Sequence, residues 1–183
     1  DLFLIQIQAI VAAHDEGEVR ILLPMVTVVE ELREAKALMG KALGSDAERV
    51  LVGAMIEVPA AAMALKDIAQ EADFVSVGTN DLTQYLFAVD RDNTRVSSLY
   101  QPYHPANLRV LRFIAKTCRQ FDCSVSVCGE MAGDPRYTAL LLGLGVRELS
   151  MSSANLPRVK ERVRALDLMA STRRAEMIMD QAD

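Results

Sequence analysis

The chain has 183 residues, a formal net charge of -5, 51% hydrophobic and 25% charged residues, three cysteines and no tryptophan. Those proportions describe one ordinary globular domain, residues 1–183, and basic residues scattered through an acidic balance exclude a nucleic-acid-binding surface. No apolar run reaches the ~18–20 residues that a membrane-crossing helix needs, and the opening DLFLIQIQAIVAAHDEGE lacks the layout of a signal peptide, so the expectation is a cytoplasmic protein with reduced thiols and no membrane partner.

Apolar positions at helical spacing predict a first helix over 2–13. VRILLPMV (19–26) reads as a short strand broken at Pro24, and helical periodicity returns from Val28 to about Leu43 before Gly44. VLVGAMIEV (50–58) reads as a buried strand, and Pro59 opens the Ala-rich helical segment AAAMALKDIAQEA. FVSVGT (74–79) is the next strand, followed by the helical LTQYLFAV and a loop bearing Arg91. HPANLRVLRFIAKTCRQF predicts a longer helix with Pro105 in its first turn. SVSVC is a strand, DPRYTALLLGLG a helix with Asp134 as N-cap, ELSMS (148–152) a last strand, and LPRVKERVRALD begins the closing helices.

Short, continuously apolar strands separated by helices predict parallel βαβ units. Five such units fit a (β/α)₈ barrel of which the first three units lie outside the chain. The doubly wound alternative carries a phosphate-binding glycine fingerprint that this sequence lacks.

In such a barrel, polar residues at the carboxyl ends of strands converge on one mouth. Here they are Glu57, the run Gly78-Thr79-Asn80-Asp81, the pair Cys128 and Glu130, and Ser152 with Ser153. A carboxylate ending a buried strand is costly unless paired, exposed or metal-bound, so Glu57 is either a strand-end charge or a functional group. DLTQ has the form of a capping box, which alone accounts for Asp81; with Glu57, Asp81 alternatively makes the carboxylate pair that suits Mg²⁺. Arg91 offers a fork for carboxylate or phosphate, or pairs with Asp90 or Asp92 on the surface. A free thiol is usually a small buried hydrophobe, which suits Cys118 and Cys123; Cys128 stands instead at the rim, beside Gly129. His14 and His104 have no companions at metal-ligand spacing and read as surface or loop-packing residues, and Met55, Met63, Met131 and Met151 as core filler.

GAMIEVPAAA, DFVSVGTNDLTQYLFAVDRDNTRV, LYQPYHPANLRVL, CGEMAGDP and ELSMS resemble the carboxyl-terminal barrel of the phosphoenolpyruvate-protein phosphotransferases, enzyme I of the bacterial phosphotransferase system. ILLPMVTVVEE and FLIQIQA further resemble its nitrogen-related branch. The resemblance implies a barrel of the phosphoenolpyruvate/pyruvate-binding type, and phosphoenolpyruvate on a Mg²⁺ held by Glu57 and Asp81. It implies that Thr79, Asn80, Asp81, Arg91 and Gly129 contact substrate and that Cys128 protonates the enolate of pyruvate. It also implies a homodimer, a phospho-acceptor histidine on another domain of the full-length protein, and a downstream phosphocarrier protein. The family's two further substrate-binding arginines and its phosphohistidine motif have no counterpart here, so the expectation is that the chain alone has little phosphotransferase activity.

Overall fold

The computed structural model describes residues 2–12 and 18–180, so Ala13 and His14 lie outside the described residues. Among the described residues five strands form: β1 (Val19–Leu23), β2 (Val50–Ile56), β3 (Phe74–Gly78), β4 (Ser124–Cys128) and β5 (Glu148–Leu149). They make one sheet in the order β1-β2-β3-β4-β5, and every adjacent pair is parallel. Strict sequential order is the order of barrel staves, whereas a doubly wound sheet reverses direction at a switch point. The expected α/β architecture of five strand-helix units is therefore present.

The helices are α1 (Leu2–Ala12), α2 (Val29–Leu43), α3 (Pro59–Met63), α4 (Leu65–Glu71), α5 (Thr79–Phe87), α6 (Pro105–Gln120), α7 (Glu130–Gly133), α8 (Pro135–Leu144), α9 (Leu156–Arg164) and α10 (Leu168–Asp180). Their starts follow local chemistry. Glu31 draws the backbone N–H groups of Thr27 and Val28 onto its Oε2 and so fixes the entry to α2. Asp134 caps α8 by accepting from Arg136 N, with Pro135 at the first helical position as expected. His104 caps α6 through Nδ1, ahead of Pro105, and packs edge-on against Phe87.

On β2, β3 and β4, Val52, Ala54, Ile56, Val75, Val77 and Val127 are buried beneath the helices. Leu65 and Ile68 of α4, Leu111 and Ile114 of α6 and Leu141 of α8 meet them and are fully buried. Each such side chain contributes about 1.5–3 kcal/mol relative to exposure, so this layer holds the strands in register.

Three expectations need correction. The Ala-rich segment is two helices, because the chain turns at Ala64 (ψ 8°) and directs Leu65, Ile68 and Ala69 inward. The last strand is two residues long, since only Ser126 and Val127 of β4 pair with it before the chain turns away after Ser150. Met63 is 81% exposed and fills no core.

Candidate active site

Residues of the opposite parity on the strands face the concave side of the sheet. The register aligns Met55 with Ser76 and Ser76 with Ser126, and aligns Gly78 with Cys128. Glu57, one residue beyond β2, falls beside Gly78 in the same row. Its carboxylate occupies the space that a side chain at position 78 would take: a Cβ there would stand 2.5 Å from Glu57 Oε2. Glu57 is 4% exposed. Its Oε1 accepts a 2.8 Å hydrogen bond from Met25 N, in the turn after β1 where Met25 adopts a left-handed φ of 56°. Half of this buried carboxylate is thus satisfied by backbone, and Oε2 faces the concave side.

Asp81 stands in the first turn of α5, whose N-cap is Gly78, so the capping-box account of Asp81 fails. The chain turns helical as soon as it leaves β3, because Thr79 is anchored at both ends: its Oγ1 donates to Cys128 O at 2.8 Å and its carbonyl accepts from Thr83 Oγ1 at 2.7 Å. Freed from capping, the Asp81 carboxylate faces Arg91, with Nη1 3.4 Å from Oδ1 and both side chains about one-third exposed. Arg91 therefore pairs neither with Asp90 nor with Asp92. Its main chain is held by Gln84, whose Oε1 accepts from Arg91 N. Nη1 is itself shielded from solvent and makes no hydrogen bond, so a buried donor stands ready for an oxyanion.

Cys128 ends β4 half-buried, its Sγ 3.4 Å from Val77 O. Burial pushes the thiol above its ordinary pKa; the negative charges of Glu57 and Asp81 push it further, against a hydrogen bond with Ser76. Both acids thus lie near enough to act on one sulfur. Gly129 follows at φ 94°, ψ -173°, and a Cβ there would stand 2.7 Å from Thr79 Oγ1 and 2.8 Å from Asn80 Oδ1. Asn80 Oδ1 accepts from Glu130 N, which fixes the turn and leaves the amide nitrogen of Asn80 as the donor for a ligand. Glu57, Thr79, Asn80, Asp81, Arg91, Cys128 and Gly129 are thereby brought to one mouth. Glu130 joins through its backbone N–H to Asn80 and through its charge, which acts on Tyr100, and Ser152 and Ser153 are exposed beyond β5.

Three further residues build the site. Gly78 supplies the space for Glu57, and Met25 supplies its hydrogen-bond donor. Tyr100 donates to Asn80 O at 3.2 Å; burial raises its pKa, while Thr83 and Arg91 beside it act the other way. The signal for Gly78 lies in its place at a strand end directly before Thr79. Tyr100 reaches the mouth from 20 residues along the chain, and no spacing rule announces it.

The donor set fits a divalent cation of the Mg²⁺ kind. Glu57 Oε2 and the second oxygen of Asp81 are the two carboxylate oxygens that would hold such an ion, and among the described residues no group of three or more His, Cys, Asp or Glu forms a fuller cage. Mg²⁺ commonly takes one or two carboxylates and completes its shell with substrate oxygens and water.

Sequential parallel staves with acids, an arginine and a thiol at the carboxyl ends of the strands define an enzyme domain of the barrel class. A family model, PEP-utilising enzyme, PEP-binding domain, matches residues 1–168. The chain is 46% identical over 176 residues to the phosphoenolpyruvate-dependent phosphotransferase system protein of Salmonella typhimurium, covering 91% of this chain and 23% of that one. It is 44% identical over 190 residues to the phosphoenolpyruvate-protein phosphotransferase of Cupriavidus necator, covering 98% and 31%. A citrate lyase structure from Burkholderia xenovorans shares the fold, with a TM-score of 0.68 at 19% identity, over 87% of this chain and 53% of that one. The chain belongs to the PEP-utilising enzyme family and spans less than a third of the length of these two relatives.

Proposed function

We propose that this chain is the substrate-binding and proton-donating part of a cytoplasmic phosphoenolpyruvate-dependent phosphotransferase, which moves the phosphoryl group of phosphoenolpyruvate to a histidine and releases pyruvate. The observation that carries the reading is the row formed by Glu57, Gly78 and Cys128, with a protonated thiol held beside two carboxylates. A chain acting only in self-association has no use for a buried carboxylate fitted over a glycine.

Glu57 and Asp81 hold Mg²⁺, which when bound supplies positive charge against the negative charge that develops on the substrate. Arg91 Nη1 and the amide nitrogen of Asn80 donate to phosphate oxygens, and Thr79 and Gly129 shape the floor. When the phosphorus–oxygen bond to the bridging oxygen breaks and the histidine takes the phosphoryl group, an enolate is left. Cys128 gives its proton to the methylene carbon, which makes the methyl group of pyruvate, and regains one from water. A thiol whose pKa is raised holds that proton until a carbon base stands over it. In this reading the acceptor histidine lies on another domain of the full-length protein, His104 being committed to capping α6, and the 183-residue chain alone has little turnover. The phosphocarrier that follows, and a homodimeric assembly, complete the proposal.

The test separates the two roles in the full-length protein. Cys128→Ala is expected to slow pyruvate formation by roughly 10²–10⁴-fold, the span of general acid catalysis, while leaving Mn²⁺ binding unchanged. Glu57→Gln is expected to weaken Mn²⁺ binding itself. Equal and mild effects of both substitutions reject the assignment.

A further inference from the structure

The other two cysteines meet where α6 ends. Phe121 is the C-cap of the helix, and Asp122 follows with a left-handed φ of 53°. Cys123 N donates to Cys118 O at 3.0 Å and Asp122 N to Arg119 O at 3.4 Å. Those are the two crossed hydrogen bonds of the Schellman helix stop, in which the residue after the left-handed one packs on the residue five positions earlier. That contact is ordinarily made by two hydrophobes. Here both positions are cysteine, and the motif that stops the helix also sets two thiols against each other.

The motif turns both thiols into the same buried corner, where Cys123 Sγ lies 3.8 Å from Ala72 O and 3.7 Å from Ser124 O. The pair is asymmetric. Cys118 is fully buried and keeps its proton. The neighbouring Cys118 thiol lowers the pKa of Cys123, against burial and the charge of Asp73. Cys123 also lines a cavity of about 300 Å³ at the foot of β4, between Arg119 and Arg147. A small polar reagent can enter there, at the opposite end of the strand from Cys128.

We propose that Cys118 and Cys123 are a redox-active dithiol, which a hydroperoxide converts to a disulfide across the α6–β4 corner. The Cys123 thiolate attacks the terminal oxygen of the peroxide; a sulfur–oxygen bond forms, the oxygen–oxygen bond breaks, and the leaving alkoxide or hydroxide takes a proton. Cys118 sulfur then attacks the sulfenic sulfur, and hydroxide leaves with the Cys118 proton as water. Two electrons pass from the two thiols to one peroxide. The Schellman backbone holds the two residues together, so that side-chain rotation brings the sulfurs to the disulfide length of about 2.05 Å. The closed pair ties the end of α6 to the start of β4.

Trypsin tests this on the full-length protein without any substitution, because Lys116, Arg119 and Arg136 place Cys118 on peptide 117–119 and Cys123 on peptide 120–136. After limited hydrogen peroxide, alkylation of remaining thiols and digestion without reduction, the two peptides are expected to run as one species, short of two hydrogens, with Cys128 alkylated and fragmentation assigning the bridge to Cys123. The species is expected to form far more slowly when the protein is treated in concentrated guanidinium. Recovery of peptide 117–119 with Cys118 alkylated, and of oxygen adducts or a Cys123–Cys128 bridge on peptide 120–136, overturns the proposal. Equal yields from folded and denatured protein overturn it as well. Cys118→Ser, with its fold checked by thermal unfolding, is expected to leave Cys123 as a trapped sulfenic acid that a dimedone probe labels; loss of labelling in that variant counts against Cys123 as the attacking thiol.

Discussion

Glu57 and Gly78 fit as a carboxylate and the space made for it: a methyl group on Gly78 would stand 2.5 Å from Glu57 Oε2 and 2.9 Å from its Cβ. Gly78 has an unstrained φ of -80°, so alanine there changes nothing in the backbone and acts through this collision alone. Gly78→Ala is expected to turn the Glu57 carboxylate away from the mouth, with an overpacking cost of about 1–3 kcal/mol. Mn²⁺ binding, followed by loss of the free-ion EPR signal, is expected to weaken markedly while Cys128 remains titratable by thiol reagents. Metal binding equal to that of the unsubstituted protein sinks the arrangement.

Gly129 presents the complementary case, in which the backbone itself requires glycine. Its φ of 94° with ψ of -173° lies in a region that side chains essentially do not enter, at a cost of about 1–3 kcal/mol. A Cβ would also strike Thr79 Oγ1 and Asn80 Oδ1, the two groups that pin the turn. Gly129→Ala is expected to lower the unfolding free energy by that amount, read as a lower urea midpoint, and to break the Asn80–Glu130 bond, so that Asn80 no longer presents its amide nitrogen. An unchanged midpoint with full activity contradicts this geometry.

Much of this mouth is legible in the sequence because strand ends are. The apolar runs SVSVC and FVSVGT give out at Cys128 and at Gly78-Thr79, and Pro59 marks the end of the strand bearing Glu57. Asp81 shows where local pattern misleads. DLTQ satisfies the capping-box spacing, yet the helix begins at Thr79, because Thr79 is tied to Cys128 O, 49 residues away. A tertiary hydrogen bond overrides the local signal and releases the carboxylate. Met25 and Tyr100 are illegible for the same reason: each acts through a partner 32 or 20 residues distant, and neither type nor spacing encodes the meeting.

Cys128 carries a pH signature. Burial first, then Glu57 and Asp81, raise its pKa, so alkylation by iodoacetamide is expected to become fast only above the ordinary thiol value of about 8.5. Divalent metal bound by the two acids offsets their charge, so adding Mg²⁺ is expected to move the alkylation profile of Cys128 to lower pH. The linkage to stability has a definite sign. A folded-state pKa above the unfolded one gives stability that is complete below about 8.5 and is lost as pH rises through the folded value, so Cys128→Ser is expected to flatten the alkaline limb. Rapid alkylation of Cys128 at neutral pH without metal contradicts the environment described here.

Tyr100 tests whether the oxyanion side of the mouth is positioned from behind. Its hydroxyl donates to Asn80 O, and Thr83 and Arg91 lie beside it, so one phenol stands behind both proposed phosphate contacts. Phenylalanine keeps the ring and removes the hydroxyl, which releases a hydrogen bond of about 0.5–1.5 kcal/mol net. If that bond orients Asn80 and Arg91 toward substrate, Tyr100→Phe in the full-length protein raises the KM for phosphoenolpyruvate by up to about tenfold, the kinetic equivalent of the upper figure, with kcat nearly unchanged. If the hydroxyl only braces the fold, the thermal midpoint falls and KM does not move. The variant also separates Tyr100 from Cys128, because Cys128→Ala is expected to lower kcat with little effect on KM, and a Tyr100→Phe profile of that second kind assigns the phenol to proton transfer rather than to positioning.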